Sequence, residues 1–242
     1  MLRVKASNGN MREIYTNEDK AKALVNFFFP KKPVELTIPA NPIYPQPLDE
    51  PDQLSEERIH CHIAKLSPHK VPGPDGIPNI ILQRNADIIV PILHQIYAAI
   101  LELGEYPTIW SESITAVIRK PGKPSYDVPK AYQPIAQLNT MGKVLIAIIA
   151  EEITNLVEKE NLLSKNHFGG HLGCTTTDAI HLLVHCIKSA WQKDKVASIL
   201  FLDVEGAFLN TVMERVIHNL RRRAIPEQHI QYVSNLLKGW TT

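Results

Sequence analysis

Prolines constrain this chain most strongly between residues 30 and 54. The sequence places seven of them there: Pro30, Pro33, Pro39, Pro42, Pro45, Pro47 and Pro51. Because proline has no backbone N–H and a fixed φ, so dense a run cannot continue a helix or a central strand. The stretch therefore predicts an extended linker or surface arm, with the main body of the chain beginning near residue 55.

Composition narrows the class of protein. The chain has 242 residues, of which 44% are hydrophobic and 21% charged, and its net charge is +1. These values exclude collagen-like, mucin-like and wholly disordered proteins, and the length suits one or two domains. Since the net charge is close to zero, the chain has no global attraction to nucleic acid, and any basic surface has to be local.

The cysteines and the apolar runs indicate the cellular compartment and whether the chain inserts into a membrane. Cys61, Cys174 and Cys186 lie far apart and form no C-x-x-C pair, which favours a reducing intracellular compartment, nucleus or cytoplasm, over secretion. The first eight residues have no apolar signal core. The longest clean apolar run, residues 144–150, is far shorter than the roughly 20 residues of a spanning helix, so no membrane partner is expected.

Hydrophobic spacing predicts a helix-rich α+β fold with a small sheet of short strands. Predicted helices cover residues 17–29, 55–66, 79–103 with an interruption before Pro91, 143–158, 177–191, 211–223 and 226 onward. A capping box of Thr211 and Glu214 is expected to start the sixth of these helices. Predicted strands cover residues 114–118, before a basic turn, and 196–204, whose apolar character is typical of a strand buried on both faces.

Asp203 lies at the end of the second predicted strand. A carboxylate held at a strand end presents its oxygens to a cleft, which suits a metal ligand. Aspartate also caps turns and helices at such places. From the residues alone, both interpretations stay open.

Residues 201–208 read F-L-D-V-E-G-A-F. They resemble the F-L-D-V-K-G-A-F-D pattern of the reverse transcriptase domain of non-LTR (LINE-like) retrotransposons. The resemblance implies that Asp203 is a catalytic metal ligand and that the carbonyl of Val204 is a further metal contact. It also implies that Phe208 lies against the sugar of the incoming nucleotide.

Further segments resemble the same family in the same order. They are residues 70–78 (K-x-P-G-P-D-G-I-P), 110–123 (a finger strand and basic loop), 131–143 (Y-R-P-I-x-L-L-N-x-x-x-K) and 168–179 (F-G-F-R-x-G-R-S-T-x-D-A). The resemblance implies nucleotide binding by Arg119, Lys120, Lys123 and Lys130, and template binding by Lys70, Gln133 and His171. For the loop lysines, a merely solvated basic loop is the alternative.

The family's reaction is RNA-directed DNA synthesis, in which a deoxynucleoside monophosphate is added to a primer by two-metal phosphoryl transfer. The resemblance therefore implies Mg²⁺ as cofactor, and an RNA template, a DNA primer and deoxynucleoside triphosphates as partners. It also implies a right-hand polymerase fold. Residues 1–54 would form a lead-in helix and linker, residues 55–195 a fingers-like region, and residues 196–242 the start of an incomplete palm.

Several positions depart from the family pattern. Gln133, His171 and Cys174 stand where the family has arginine, and Leu209 stands where it has aspartate. Glutamine and neutral histidine cannot grip a phosphate as a bidentate guanidinium does. No Asp-Asp pair occurs in the 242 residues, whereas the family's remaining metal ligands lie on an Asp-Asp hairpin. We therefore expect the isolated chain to be an inactive fragment.

Alternatives to the enzyme stay open. A non-catalytic nucleic-acid-binding or interaction module is one, and a decayed pseudogene product is another. A zinc site would combine His167, His171 and Cys174 with His181 or His185 from the next helix. The cations at positions 221–223, near a predicted helix end, suit either the helix dipole or a nucleic-acid patch.

Overall fold

The computed structural model describes residues 1–5, 10–30, 38–50, 53–204, 207 and 211–238. Within these residues the strands are β1 (Leu2–Lys5), β2 (Met11–Ile14), β3 (Ser113–Arg119) and β4 (Tyr132–Leu138). The helices are α1 (Asn17–Phe28), α2 (Glu56–Ala64), α3 (Asn79–Arg84), α4 (Ala86–Leu103), α5 (Thr108–Ser111), α6 (Thr140–Lys159), α7 (Thr176–Trp191), α8 (Met213–Arg222) and α9 (Glu227–Lys238). A 3-10 turn spans Pro129–Ala131.

The described strands form two separate antiparallel pairs. In the first pair, Leu2 on β1 lies opposite Ile14 on β2. In the second, β3 and β4 pair along their whole lengths, and Arg119 lies opposite Tyr132 next to the connecting loop. Two small sheets among so many helices confirm the predicted α+β class.

Local capping sets the starts of several helices. At α1, the Thr16 hydroxyl accepts a hydrogen bond from the Asp19 nitrogen at 3.1 Å. At α7, Thr175 and Asp178 form a reciprocal capping box, which satisfies two backbone donors that a helix start leaves unpaired. The predictions confirmed to within three residues at each end are the helices at residues 17–29, 55–66, 143–158, 177–191 and 211–223.

One predicted helix break and one predicted cap are wrong. The break expected before Pro91 lies instead at Asn85, whose side-chain amide donates to the Ile81 carbonyl at 2.8 Å and so competes with the helical pattern. Pro91 itself lies inside α4. The capping box expected at Thr211 does not form, because Val212 is the residue that precedes α8 and no side chain caps this helix start; the Thr211 hydroxyl donates instead to the Ala207 carbonyl at 2.6 Å.

Residues 1–145 and 206–242 form one compact unit. Its core lies along α4, where Leu93 and Tyr97 are at most 1% exposed, and α2 packs against this helix through Ile59 and Ile63. An aromatic cluster extends this core, with neighbouring ring centroids 5.9–6.1 Å apart, and consists of Tyr97, Trp110, Tyr106 and Tyr232. Burial of each large apolar side chain stabilises the unit by about 1.5–3 kcal/mol.

The described part of the proline-rich arm lies on the surface of the same unit. Residues 38–50 form neither helix nor strand. The Tyr44 hydroxyl and Nδ1 of His218 share a hydrogen bond of 2.9 Å, and the Leu48 nitrogen donates to the Ala224 carbonyl at 2.8 Å. The prediction that this stretch forms neither a helix nor a central strand is therefore confirmed for residues 38–50, and these contacts fix the arm to the surface of α8 and its C-terminal turn.

Residues 146–205 form a second unit, of which residues 146–204 are described. It contains the C-terminal part of α6 and all of α7. No residue of α7 is buried, and its apolar Ile180, Val184 and Trp191 are 40–65% exposed. This unit therefore leaves an apolar helix face open.

The buried strand predicted for residues 196–204 is wrong. The segment has no regular secondary structure, and its apolar side chains are exposed, by 79% for Phe201 and 85% for Leu202. None of the described strands pairs with it, and a strand without a hydrogen-bonded neighbour is not stable in water. An apolar run thus predicts a buried strand only where a partner strand is available.

Among the described helices, α4 is the one long and apolar enough by length and composition to cross a membrane, with a mean hydropathy of 1.5. Several of its apolar residues are core residues, namely Ala86, Val90, Leu93, Tyr97 and Ile100. Packing against α2, α3 and α9 accounts for the apolar character of this buried face.

Candidate nucleic-acid interface

The β3–β4 hairpin presents a basic turn. β3 ends at Arg119. Lys120 and Lys123 follow in the turn, where Lys120 is half-buried and Lys123 is exposed. Gly122 has a φ of 73°, a left-handed conformation that glycine adopts without strain. Gln133 on β4 pairs with the residue before Arg119, so it lies at the base of this turn.

Two tyrosines brace the loop that contains this turn. The Tyr126 hydroxyl donates to the Lys120 carbonyl at 2.9 Å, and the Tyr132 hydroxyl donates to the Tyr126 carbonyl at 2.8 Å. The guanidinium carbon of Arg119 lies 5.0 Å from the centre of the Tyr126 ring, a distance at which the cation is attracted to the ring face. The backbone of the turn is therefore fixed from within.

Lys130 lies at the other end of the same loop, in the 3-10 turn, and is exposed. The Lys120 nitrogen donates to the Ala131 carbonyl at 2.9 Å, which joins the two ends of the loop. The hydroxyl of Ser125 donates to Asp127 at 2.5 Å and lowers the pKa of that carboxyl. The predicted residues Arg119, Lys120, Lys123 and Lys130 therefore lie on or beside one loop whose two ends are joined. Nucleotide binding by these residues stays a prediction.

The loop of residues 67–78 is attached to the junction of β4 and α6. Asn139, which is 2% exposed, accepts a hydrogen bond from the Asp75 nitrogen at 3.0 Å and donates to the Ile109 carbonyl at 2.9 Å. Gly73 lies so close that a Cβ there would be 2.5 Å from the Asn139 nitrogen. A buried asparagine therefore fixes a loop whose residues are more than 60 positions away in sequence.

This attachment brings Lys70 near Lys143. Lys143 lies in the first turn of α6 and is half-buried. Burial lowers the pKa of its ammonium group, the positive charge of Lys70 lowers it further, and the Asp75 carboxylate opposes both effects. Two cations and one carboxylate thus form a cluster in which a bound anion would relieve the repulsion between the lysines.

His171 lies in the second unit and contacts a carboxylate. Its Nδ1 is 2.6 Å from Oε1 of Glu158, and the Leu172 nitrogen donates to the same oxygen at 3.0 Å. The ring is therefore held by Glu158, and the His171 side chain is only 14% exposed. Template binding by His171 and by Gln133 stays a prediction.

Asp203 is exposed, and its Oδ1 accepts a hydrogen bond from the Val204 nitrogen at 2.9 Å. Because residues 196–204 do not form a strand, Asp203 is not held at the end of a sheet. Val204 is 73% exposed, and Phe208 lies outside the described residues. The metal-binding roles of Asp203 and Val204 stay predictions.

The described residues do not form a metal site. No group of three or more His, Cys, Asp or Glu side chains in this part of the chain is arranged to hold an ion. Asp203 alone supplies too few ligands and too little negative charge for two Mg²⁺ ions. The same finding leaves the zinc alternative at His167, His171 and Cys174 without geometric support.

Asp75, Asn139 and Lys143 were not among the site residues predicted from the sequence. The signal for two of them was present, since Asn139 and Lys143 stand in the segment of residues 131–143 that resembles the family pattern. The contact of that segment with Asp75 is a long-range feature, which no local pattern predicts.

Comparison with known proteins adds a family. No model of a known protein family matches the chain. The chain is 29% identical over 187 residues to a probable RNA-directed DNA polymerase from the transposon X-element of Drosophila melanogaster. It is 30% identical over 176 residues to the RNA-directed DNA polymerase from the mobile element jockey of Drosophila funebris, and 25% identical over 189 residues to a Pol polyprotein from the type-1 retrotransposable element R2 of Popillia japonica.

These matches cover 74%, 73% and 78% of the chain but only 20%, 18% and 25% of the respective relatives. The chain thus spans about a fifth to a quarter of the length of the relatives that it matches. The family predicted from the sequence motifs is confirmed: this chain is a relative of the RNA-directed DNA polymerases of non-LTR retrotransposons.

Proposed function

We propose that the chain is the nucleic-acid-binding part of an RNA-directed DNA polymerase of the non-LTR type. The observation that carries the proposal is the basic turn of the β3–β4 hairpin, braced by Tyr126 and Tyr132, in a chain similar to such polymerases. In this function Arg119, Lys120 and Lys123 contact phosphates of the template or of the incoming nucleotide. A turn whose backbone is already fixed suits this role because the backbone needs no reordering when the anion arrives.

The finer assignment extends this proposal along the chain. Residues 55–195 correspond to the fingers and residues 196–242 to the start of the palm, preceded by a lead-in segment at residues 1–54. The substrates are an RNA template, a DNA primer and deoxynucleoside triphosphates, and the site of action is intracellular. Three unpaired cysteines, Cys61, Cys174 and Cys186, support a reducing compartment.

The 242-residue polypeptide by itself does not polymerise in this proposal. Two-metal transfer needs a cluster of carboxylates around the reacting phosphate, and the described residues contain no such cluster. Asp203 is exposed on an irregular segment, so it has no fixed partner across a cleft. The described residues therefore do not fit a centre for two Mg²⁺ ions.

Primer extension with Mg²⁺ tests the inactivity directly. The purified chain is incubated with an RNA template, an annealed DNA primer and labelled deoxynucleotides, beside the variant Asp203→Asn. No template-dependent incorporation is expected from either protein. Incorporation by the wild-type chain that Asp203→Asn abolishes would refute the inactivity and favour a complete active centre.

A non-catalytic binding module is the second candidate function, and the exposed Asp203 without a surrounding carboxylate cluster favours it. Such a module binds RNA with an affinity that falls as salt rises, because each neutralised phosphate releases counterions. Filter binding of a labelled RNA should then give the same dissociation constant for the wild type and for Asp203→Asn. A large change caused by this one substitution would contradict a purely electrostatic module.

A further inference from the structure

A groove lies between the N-terminal hairpin, α1 and the end of the basic loop. It has a volume of about 680 Å³. Among the described residues, its charged lining consists of Arg3, Lys5, Arg12, Lys22, Lys130 and Asp19. Because the whole chain carries a charge of only +1, five cations with one carboxylate in one groove are a local concentration of positive charge.

Arg3 and Lys22 already form ion pairs. Arg3 contacts Glu13 at 3.2 Å and Asp127 at 3.4 Å, and Lys22 contacts Glu18 at 2.7 Å. These exposed pairs are weak and screened by salt.

Arg12 differs from these two cations. It has no ion pair with any carboxylate in the described part of the chain. On β2 it lies two residues before the buried Ile14, so strand alternation places both side chains on the same face of the hairpin. Arg12 is therefore a cation on the groove side of β2 whose charge no described carboxylate neutralises.

The floor of the groove is apolar and includes an aromatic ring. Val4, Ile14 and Phe27 line it together with other apolar residues. Phe27 is 40% exposed, and its ring lies edge-to-face on Phe28 with the centroids 5.2 Å apart. Phe28 is buried, so it holds the exposed ring of Phe27 in place.

Cationic walls beside an exposed aromatic ring are the combination that binds single-stranded nucleic acid. The cations follow the phosphate backbone, and the ring stacks on a base regardless of its identity. Lys130 belongs both to this groove and to the basic loop of the candidate interface. A strand bound at the loop can therefore continue into the groove past Lys130, which belongs to both.

We propose that this groove binds a single-stranded segment of RNA, with phosphates on Arg12 and Lys130 and a base on Phe27. The inference rests on the proposed function, because that function supplies an RNA strand at the neighbouring loop. It adds the N-terminal hairpin and α1 to the binding surface, beyond the segments that carry the family motifs.

Fluorescence anisotropy with a labelled oligouridine RNA tests the proposal. Arg12→Ala should make the slope of log affinity against log salt shallower by about 0.7, the value for one phosphate contact on a single strand. Phe27→Ala should weaken binding by about 5- to 100-fold through lost stacking, with little effect on the salt slope. Arg84→Ala is the matched control, since Arg84 is exposed at the C-terminal end of α3, and it should bind as the wild type does.

The outcomes separate the groove from the proposed function. Salt-dependent RNA binding by the wild type that neither Arg12→Ala nor Phe27→Ala weakens would overturn the groove and leave the function standing. No RNA binding by the wild type would overturn both. If polyglutamate displaces the RNA and binds equally well to Phe27→Ala, the groove takes an acidic protein segment instead. Circular dichroism checks folding, and Arg12→Ala, an exposed substitution, carries the test if Phe27→Ala does not fold.

Discussion

Gly73 is the position where a single methyl group should break the attachment of the loop at residues 67–78. A Cβ at this residue would lie 2.5 Å from the Asn139 nitrogen and from the Leu138 carbonyl carbon, and 2.6 Å from Oδ1 of Asn139. Ordinary contacts begin at 3.4 Å, so the neighbouring backbone would have to move by about 0.9 Å. The hydrogen bond from Asn139 to the Ile109 carbonyl opposes this movement.

The loss of stability expected for Gly73→Ala follows from this overlap. Inserting a methyl group into a well-packed site destabilises by about 1–3 kcal/mol, and here the clash is with backbone, which relaxes less than a side chain does. For a chain of this size, 1 kcal/mol lowers the melting temperature by about 2–4 °C. Gly73→Ala should therefore melt about 2–12 °C below the wild type.

Thermal unfolding followed by circular dichroism measures this difference. Gly169→Ala is the matched control, because the nearest atom to its Cβ would be 3.8 Å away and its φ is not in the left-handed region. The control should change stability by less than about 1 kcal/mol, or raise it slightly by restricting the unfolded chain. Equal melting temperatures for Gly73→Ala and Gly169→Ala would refute the close packing of Gly73 on Asn139.

Two further predictions concern buried polar groups. Tyr97→Phe removes a hydroxyl that donates to the Met141 carbonyl at 2.6 Å, so it should lower the free energy of unfolding by about 1–3 kcal/mol. Tyr232→Phe removes a buried hydroxyl with no partner among the described residues, so it should leave the free energy of unfolding unchanged or raise it. Urea denaturation measures the free energy of unfolding of both variants. An equal loss of stability in the two would be inconsistent with these contacts. Desolvation, together with the nearby Arg215 and Arg222, lowers the pKa of His218 below its ordinary 6.5. The unfolded chain therefore binds a proton at this histidine more readily than the folded chain does. The free energy of unfolding should fall as the pH drops below about 6.5. His218→Gln should lose less stability than the wild type between about pH 7.5 and 5.5, and an equal loss would contradict the lowered pKa.

The sequence predicted those parts of the fold that have local signals. The helices starting near Asn17 and Thr176 combine apolar spacing with a nearby capping residue, and both are present. The N-terminal hairpin was missed because its strands, Leu2–Lys5 and Met11–Ile14, are only four residues long and five residues separate them, so no two-residue turn signal applies. β4 was missed because Pro134 argues against a strand, yet it is tolerated in a two-stranded sheet, where every strand is an edge.

Features that depend on distant residues were not predictable in the same way. The apolar run of residues 196–204 was expected to be buried, but burial requires a partner strand, which the run itself does not encode. In the candidate site, the basic loop is local and its cations could be named in advance. The proximity of Lys70 and Lys143 instead depends on Asn139, which joins segments far apart in sequence.

The salt dependence of RNA binding tests most directly whether the β3–β4 turn contacts nucleic acid. The measurement compares the wild type, the double variant Lys120→Ala/Lys123→Ala, and the control Lys188→Ala/Lys193→Ala, which removes two exposed lysines elsewhere. The account predicts that the slope of log affinity against log salt becomes shallower by about 1.4 in the first double variant, for two lost phosphate contacts, and stays unchanged in the control. Identical slopes for the wild type and Lys120→Ala/Lys123→Ala would contradict the account.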